Sequence, residues 1–399
     1  MEQENKNTYK HPKNGQNILK VKKLLEKTMQ IPQHLRATPF IWGPYGIGKS
    51  EMVRQFAEEQ CEKLTKQYIE EGRQDELFEI TDKKGQTRMV AFDPVPVDIR
   101  LSLKDSGDIQ GLPCFTVDKN GVKRTTWAIP DCFPSNPKWK GVIFFDEFNL
   151  GQMNVINACY QVLAEFQLEA IKFNPGVLVV CAGNYTDIAP NAIELPQGIN
   201  TRVNHIDMVA DLDVWVDWAM SAGINPIVTS FLKNGKPDLF YDYQAIMDNK
   251  RELANPRAWT RVSAFLDIPH YNAEQELVSD VGGIIGEANA MLLKSYIKDA
   301  SRFQNPDEIL VEGKDFKAES INGFYGCFIS CVSRLATIPE DQLEKPILNL
   351  HKAMSKLNSR DLKAFAARSL LNNNKIRNYI ENEHTELILD LSAQISNTK

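Results

Sequence analysis

The sequence predicts an α/β fold: an αβα sandwich on a parallel sheet, followed by an all-helical lid and a helical C-terminal extension. Three observations predict it. Up to about Met208, short apolar runs alternate with amphipathic segments of helical period. A glycine-rich stretch, Gly43 to Ser50, stands between one such run and one such segment. From Asp211 onward the strand signals fade and helical periodicity takes over.

Taken in order, residues 1–17 are polar and lack the apolar region of a secretory signal, so a loosely held N-terminal tail is expected. Residues 18–208 form the expected α/β core. Pro39 to Trp42 reads as a buried strand. Glu51 to Gln67 reads as a helix, with Val53, Phe56, Ala57, Gln60, Leu64 and Tyr68 on one stripe. Near 106–130 the alternation is interrupted. Phe115 to Val117 and Val122 to Trp127 flank Asn120-Gly121, a strong hairpin-turn signal because both positions tolerate positive φ. Such a hairpin is either a surface ornament or a substrate-facing loop. Val142 to Phe145 and Val177 to Cys181 are continuous apolar runs suited to central parallel strands, with a helix from Gln152 to Phe166 between them. Residues 209–335 form the expected lid, with helices from Asp211 to Ser221, from Asn225-Pro226, from Asn255-Pro256-Arg257 and from Val278 to Ala300. Residues 336–399 form the helical extension.

Composition bounds the function classes. The chain has 399 residues, 43% hydrophobic and 25% charged, as in soluble globular proteins. Its net charge of -6 gives no general attraction to nucleic acid or anionic membrane. No apolar stretch approaches the ~18 residues of a membrane span. Seven cysteines, odd in number and scattered, point to reduced thiols and a cytoplasmic location. Cys327 and Cys331, one helical turn apart, read as a buried pair rather than a metal site.

The chemistry sits in a few residues. Gly43, Pro44, Tyr45, Gly46, Ile47, Gly48, Lys49 and Ser50 fit G-x-x-x-x-G-K-[ST] at every fixed position, the phosphate loop of P-loop NTPases. Its glycines let backbone N–H groups turn onto the phosphates of ATP. Lys49 reaches those phosphates and the Ser50 hydroxyl can ligate Mg²⁺. Asp146 and Glu147 end the apolar run Val142 to Phe145. Asp146 is expected to hold the Mg²⁺ shell through water, and Glu147 to orient or deprotonate the attacking water. Asn184, after the run ending in Cys181-Ala182-Gly183, either fixes that water beside the γ-phosphate or closes an Asx turn. Arg202 ends the α/β region as a candidate arginine finger, and Arg257 opens a later helix from which it would reach the nucleotide of its own subunit. A lone arginine is usually a surface residue; here order and spacing favour the functional reading.

This order of elements resembles that of AAA+ ATPases, and in detail their MoxR-like branch. Ser106-Gly107-Asp108-Ile109-Gln110-Gly111 with the following hairpin is similar to that branch's insert in its second helix. Phe144 to Asn149, then Asn157 to Leu163, is similar to its Walker B strand and the helix behind it. Ala182-Gly183-Asn184 resembles sensor 1, Arg202 the finger, and Asn255 to Trp259 sensor 2. The resemblance covers about Ile18 to Leu335. Tyr45, Phe148 and Val203 depart from the usual pattern, but none removes a catalytic group.

The resemblance implies a homo-hexamer that hydrolyses ATP with Mg²⁺ and remodels or matures a protein client. That client often carries a von Willebrand A-type domain; none is visible in this sequence, so any such partner is expected to be a separate chain. Two alternatives remain at this point. A nucleic-acid-stimulated motor would use a local basic surface, for which Lys119, Lys123 and Arg124 on the hairpin are the suggestive cluster. A nucleotide-switched scaffold would bind ATP but barely turn over, against which Glu147, Asn184 and Arg202 all stand.

Overall fold

The computed structural model describes residue 12 and residues 14–82, 84–117, 119–168, 171–300, 304–317 and 321–396. Most of the expected N-terminal tail, and Asp118 of the expected hairpin turn, lie outside these. The chain divides after Val209 into two compact units.

The first unit is α/β. Its sheet has five parallel strands, β1 (Thr38–Trp42), β2 (Val97–Arg100), β3 (Val142–Asp146), β4 (Leu178–Gly183) and β5 (Val203–Asp207), in the order β5-β1-β4-β3-β2. Every residue of β3 and β4 is buried. Their sequences, VIFFD and LVVCAG, are the near-continuous apolar runs that a strand covered on both faces requires. Register aligns the strand ends. Trp42 lies opposite both Gly183 and Asp207, Phe145 opposite Cys181, and Asp146 opposite Arg100. The loops leaving all five strands therefore open on one edge, the carboxyl edge where parallel sheets bind ligands.

Helix α1 (Ile18–Gln30) starts on Asn17, whose side chain accepts the Lys20 N–H at 3.1 Å, and buries Val21, Leu25 and Thr28 at helical spacing. Before it, Gln16 bridges in parallel to Met208, so the end of the expected tail is tied to the sheet. Helix α2 (Lys49–Glu70) is longer than its stripe of apolar residues predicts, because it begins inside the phosphate loop. The expected helix from Gln152 to Phe166 is instead two, Met153–Ala158 and Tyr160–Glu165. Between them the Cys159 N–H is shared among the carbonyls of Val155, Ile156 and Asn157, which tightens the turn. The hairpin expected near 106–130 pairs Leu112–Val117 with Lys123–Ala128, and every residue of both strands is exposed. A second hairpin, Phe78–Thr81 with Thr87–Val90, gave no clear signal in the sequence.

The second unit, among its described residues, is helical. Leu212–Ser221, Pro226–Asn234 and Pro256–Leu266 begin on Asp211, Asn225 and Asn255, each accepting a backbone N–H from the first turn. The expected helix from Val278 to Ala300 is broken into Ala273–Ile285 and Glu287–Ala300. Gly286 at φ 86° separates them, a conformation that side chains oppose. One buried cluster runs from Ile309 to Leu391, including Cys327, Cys331, Phe328, Leu350 and Ile376, and so continues across position 335. All seven cysteines are free thiols. No described helix is long and apolar enough to cross a membrane.

Candidate active site

The phosphate loop leaves β1 at Gly43 and enters α2 at Lys49. Gly46 and Gly48 hold φ of 76° and 97°, which turns the backbone sharply enough for α2 to begin. The first N–H groups of α2 have no partner within the helix, and with the aligned peptide dipoles they favour an anion. Lys49 folds back over the loop. Its Nζ donates to Gly43 O at 2.6 Å, Pro44 O at 3.0 Å and Asn184 Oδ1 at 2.9 Å. A cation is thus held over the anion-binding turn, joined to the tip of the neighbouring strand.

At the end of β3, Asp146 is 7% exposed and accepts the Ser50 hydroxyl at 2.5 Å on Oδ2. Its Oδ1 accepts the Glu147 N–H at 2.8 Å. Glu147 itself has φ 51° and ψ 37°, a left-handed backbone that costs a non-glycine residue about 1–3 kcal/mol. Its Oε2 accepts the Ser102 hydroxyl at 2.5 Å from the turn after β2. Asp98 on β2 faces the same corner, with Arg54 at 3.7 Å. Burial, and then the charge of Asp146, pushes the Asp98 carboxyl above the usual range. Burial, and then the charge of Glu147, likewise raises the Tyr45 hydroxyl. Carboxylates therefore dominate this corner, and a cation would relieve it. Ser50 and Asp146 are hard oxygen donors, the set that suits Mg²⁺. Among the described residues no group of three or more His, Cys, Asp or Glu forms a metal cage; Mg²⁺ usually takes one or two carboxylates and completes its shell with water and substrate phosphate.

Asn184 is buried beside the loop and meets Lys49 directly. Its backbone is held by the side chain of Asn149. Neither Asn149 nor Ser102 was singled out from the sequence for a role at the site. The one available signal was their place just beyond strands that end in charged residues. Register alone turns that place into contact.

One expected site residue of this unit, Arg202, does not join this group. Arg202 precedes β5, and its backbone carbonyl accepts the Thr38 N–H at the amino end of β1. The loop leaves β1 at the opposite end, roughly 13 Å away at about 3.3 Å per residue. There the Arg202 guanidinium lies over the Tyr160 ring at 4.7 Å and donates to Gly198 O at 2.8 Å. Arg257 lies exposed in the first turn of Pro256–Leu266, in the helical unit.

No family model matches the chain, and no curated protein does. Among solved structures, NtrX from Brucella abortus is 13% identical with a TM-score of 0.35, over 94% of this chain and 67% of that one. PCH-2 of C. elegans is 11% identical at 0.30, over 71% and 67%. A DNA polymerase III gamma subunit-related protein of Thermotoga maritima is 8% identical at 0.28, over 96% and 100%. Likenesses this distant carry no functional argument for this chain.

Proposed function

We propose that the chain is an ATP-hydrolysing ring protein of the AAA+ type, in the MoxR-like branch. It would couple ATP binding and hydrolysis to remodelling or maturation of a partner protein. The observation that carries the reading is the gathering of Lys49, Ser50, Asp146, Glu147 and Asn184 at one carboxyl edge of the sheet.

In this reading the loop N–H groups bind the β- and γ-phosphates, and Lys49 exchanges its loop carbonyls for phosphate oxygens. Ser50 and Asp146 would hold Mg²⁺, which neutralises phosphate charge. Glu147 accepts the proton of the attacking water while Asn184 fixes that water's position. Arg202, at the far end of its own sheet, is suited to a neighbouring subunit's nucleotide, which supports an assembly with shared sites; a homo-hexamer is what the resemblance implies. Arg257 would report the nucleotide state to the helical unit.

The hairpin supports a protein client. One face carries Pro113, Phe115, Val117 and Trp127, and Phe115 is 83% exposed. A von Willebrand A-type domain on another chain is the client the resemblance favours. Lys119, Lys123 and Arg124 support a second reading, a nucleic-acid-stimulated motor.

The test is steady-state Mg·ATP turnover of wild type and Glu147→Gln, with and without single- and double-stranded DNA. Wild type is expected to turn over, and Glu147→Gln to bind ATP yet lose about a hundredfold or more in rate. Indifference to DNA favours the protein client. An inert wild type, or an unaffected Glu147→Gln, would overturn the reading.

A further inference from the structure

Asn149 has no exposed surface, yet it is polar and fully engaged. Its Oδ1 accepts the Asn184 N–H at 3.0 Å and its Nδ2 donates to the Asn184 carbonyl at 2.7 Å. One side-chain amide thus pairs with both backbone groups of one residue, as a neighbouring strand would. The pairing falls where the sheet stops providing it, because the β3–β4 ladder ends at Phe145 and Cys181. The backbone of Asn149 adds a further tie, accepting the Ile193 N–H at 2.8 Å.

The surroundings are shaped to this clamp. A Cβ on Gly183 would meet Asn149 Oδ1 at 2.8 Å and Phe40 Cε1 at 2.8 Å, so the residue before Asn184 must stay small. Asn149 lies two residues beyond Glu147, on the short turn Phe148–Leu150. Buried Phe148 anchors that turn edge-on against Phe40 and Phe145, with ring centres 5.4 and 6.2 Å away. The loop carrying Glu147 is therefore joined through one amide to the residue whose Oδ1 meets Lys49 at 2.9 Å.

We infer that Asn149 is a positioning residue: it holds Asn184 in register with Lys49 and with the Glu147 loop, and so sets the geometry in which water attacks. It acts through Asn184 and touches no substrate. The inference rests on the ATP-hydrolysis reading above.

The experiment measures kcat, KM for ATP and ADP affinity in wild type, Asn149→Ala, Asn149→Asp, Asn184→Ala and the Asn149→Ala/Asn184→Ala double variant, with thermal melts. Asn149→Asp is nearly isosteric but sets a carboxylate oxygen against the Asn184 carbonyl, so it carries the test if Asn149→Ala fails to fold. Each Asn149 variant is expected to lose about 10- to 100-fold in kcat. KM and ADP affinity should stay within about threefold, and the double variant should be no slower than Asn184→Ala. A normal kcat in a folded Asn149 variant, losses that multiply in the double variant, or a matching loss of ADP affinity would overturn the inference. Where wild type turns over and Asn184→Ala is slow, such a result leaves the ATPase reading standing. An inert wild type sinks both.

Discussion

Glu147 reaches the site from a left-handed backbone that side chains usually avoid, and its carboxylate is already held by Ser102. Phe166, Asn249 and His270 share that positive φ, but Glu147 alone of the four carries it at the end of β3, where the proposed function needs a base for the attacking water. Lys49 is the partner whose loss should be felt first. Lys49→Ala leaves the loop's N–H groups in place but removes the cation above them, so ATP affinity is expected to fall about tenfold or more, read by calorimetric titration. The motif residues were legible because their chemistry depends on chain spacing. Asn149 and Ser102 were not, because their contacts arise between strands far apart in sequence. An Asn after a strand is otherwise an ordinary turn former.

Side-chain caps set the starts of Leu212–Ser221, Pro226–Asn234 and Pro256–Leu266, and the sequence showed these three. Asn255 accepts the Ala258 N–H at 2.9 Å, and Asn255→Ala is expected to cost the helical unit about 1 kcal/mol, measured by urea unfolding. The helix from Val278 to Ala300 was misread because its apolar periodicity continues through Gly286, while the backbone turns there at φ 86°. The helix expected from Gln152 to Phe166 divides at Cys159 for a similar reason: side-chain pattern does not record a shared N–H. Asp217 on Leu212–Ser221 gives a pH test. Burial raises its carboxyl above 3.8, opposed in part by Arg368 and Lys233. A carboxyl with a raised folded pKa binds more protons when folded, so stability falls as pH rises from the unfolded value through the folded one. Asp217→Asn should therefore melt higher than wild type at pH 7, and the gap should close as pH falls toward 4.

At the scale of the molecule, strand order and register gather most of the chemistry at one edge and leave Arg202 at the other. The fold class was legible because alternating apolar runs and helical stripes specify a layered sheet, and the fading of strands after Asp211 marks where the sheet ends. The division after Val209 falls close to the composition change. By contrast the core cluster that crosses position 335 gave no local sign, since it forms from helices brought together by packing alone. If the hairpin meets a partner rather than the nucleotide, deleting 112–128 should leave basal ATP turnover within about threefold of wild type while abolishing any stimulation by client. The separation of Arg202 from its own phosphate loop makes the proposed sharing of a site between subunits directly measurable. The measurement is the ATP turnover rate per chain against protein concentration, for wild type and Arg202→Ala. A wild-type rate that climbs with concentration, and a variant rate that stays low throughout, is the expected result. A rate independent of both concentration and Arg202 would contradict it.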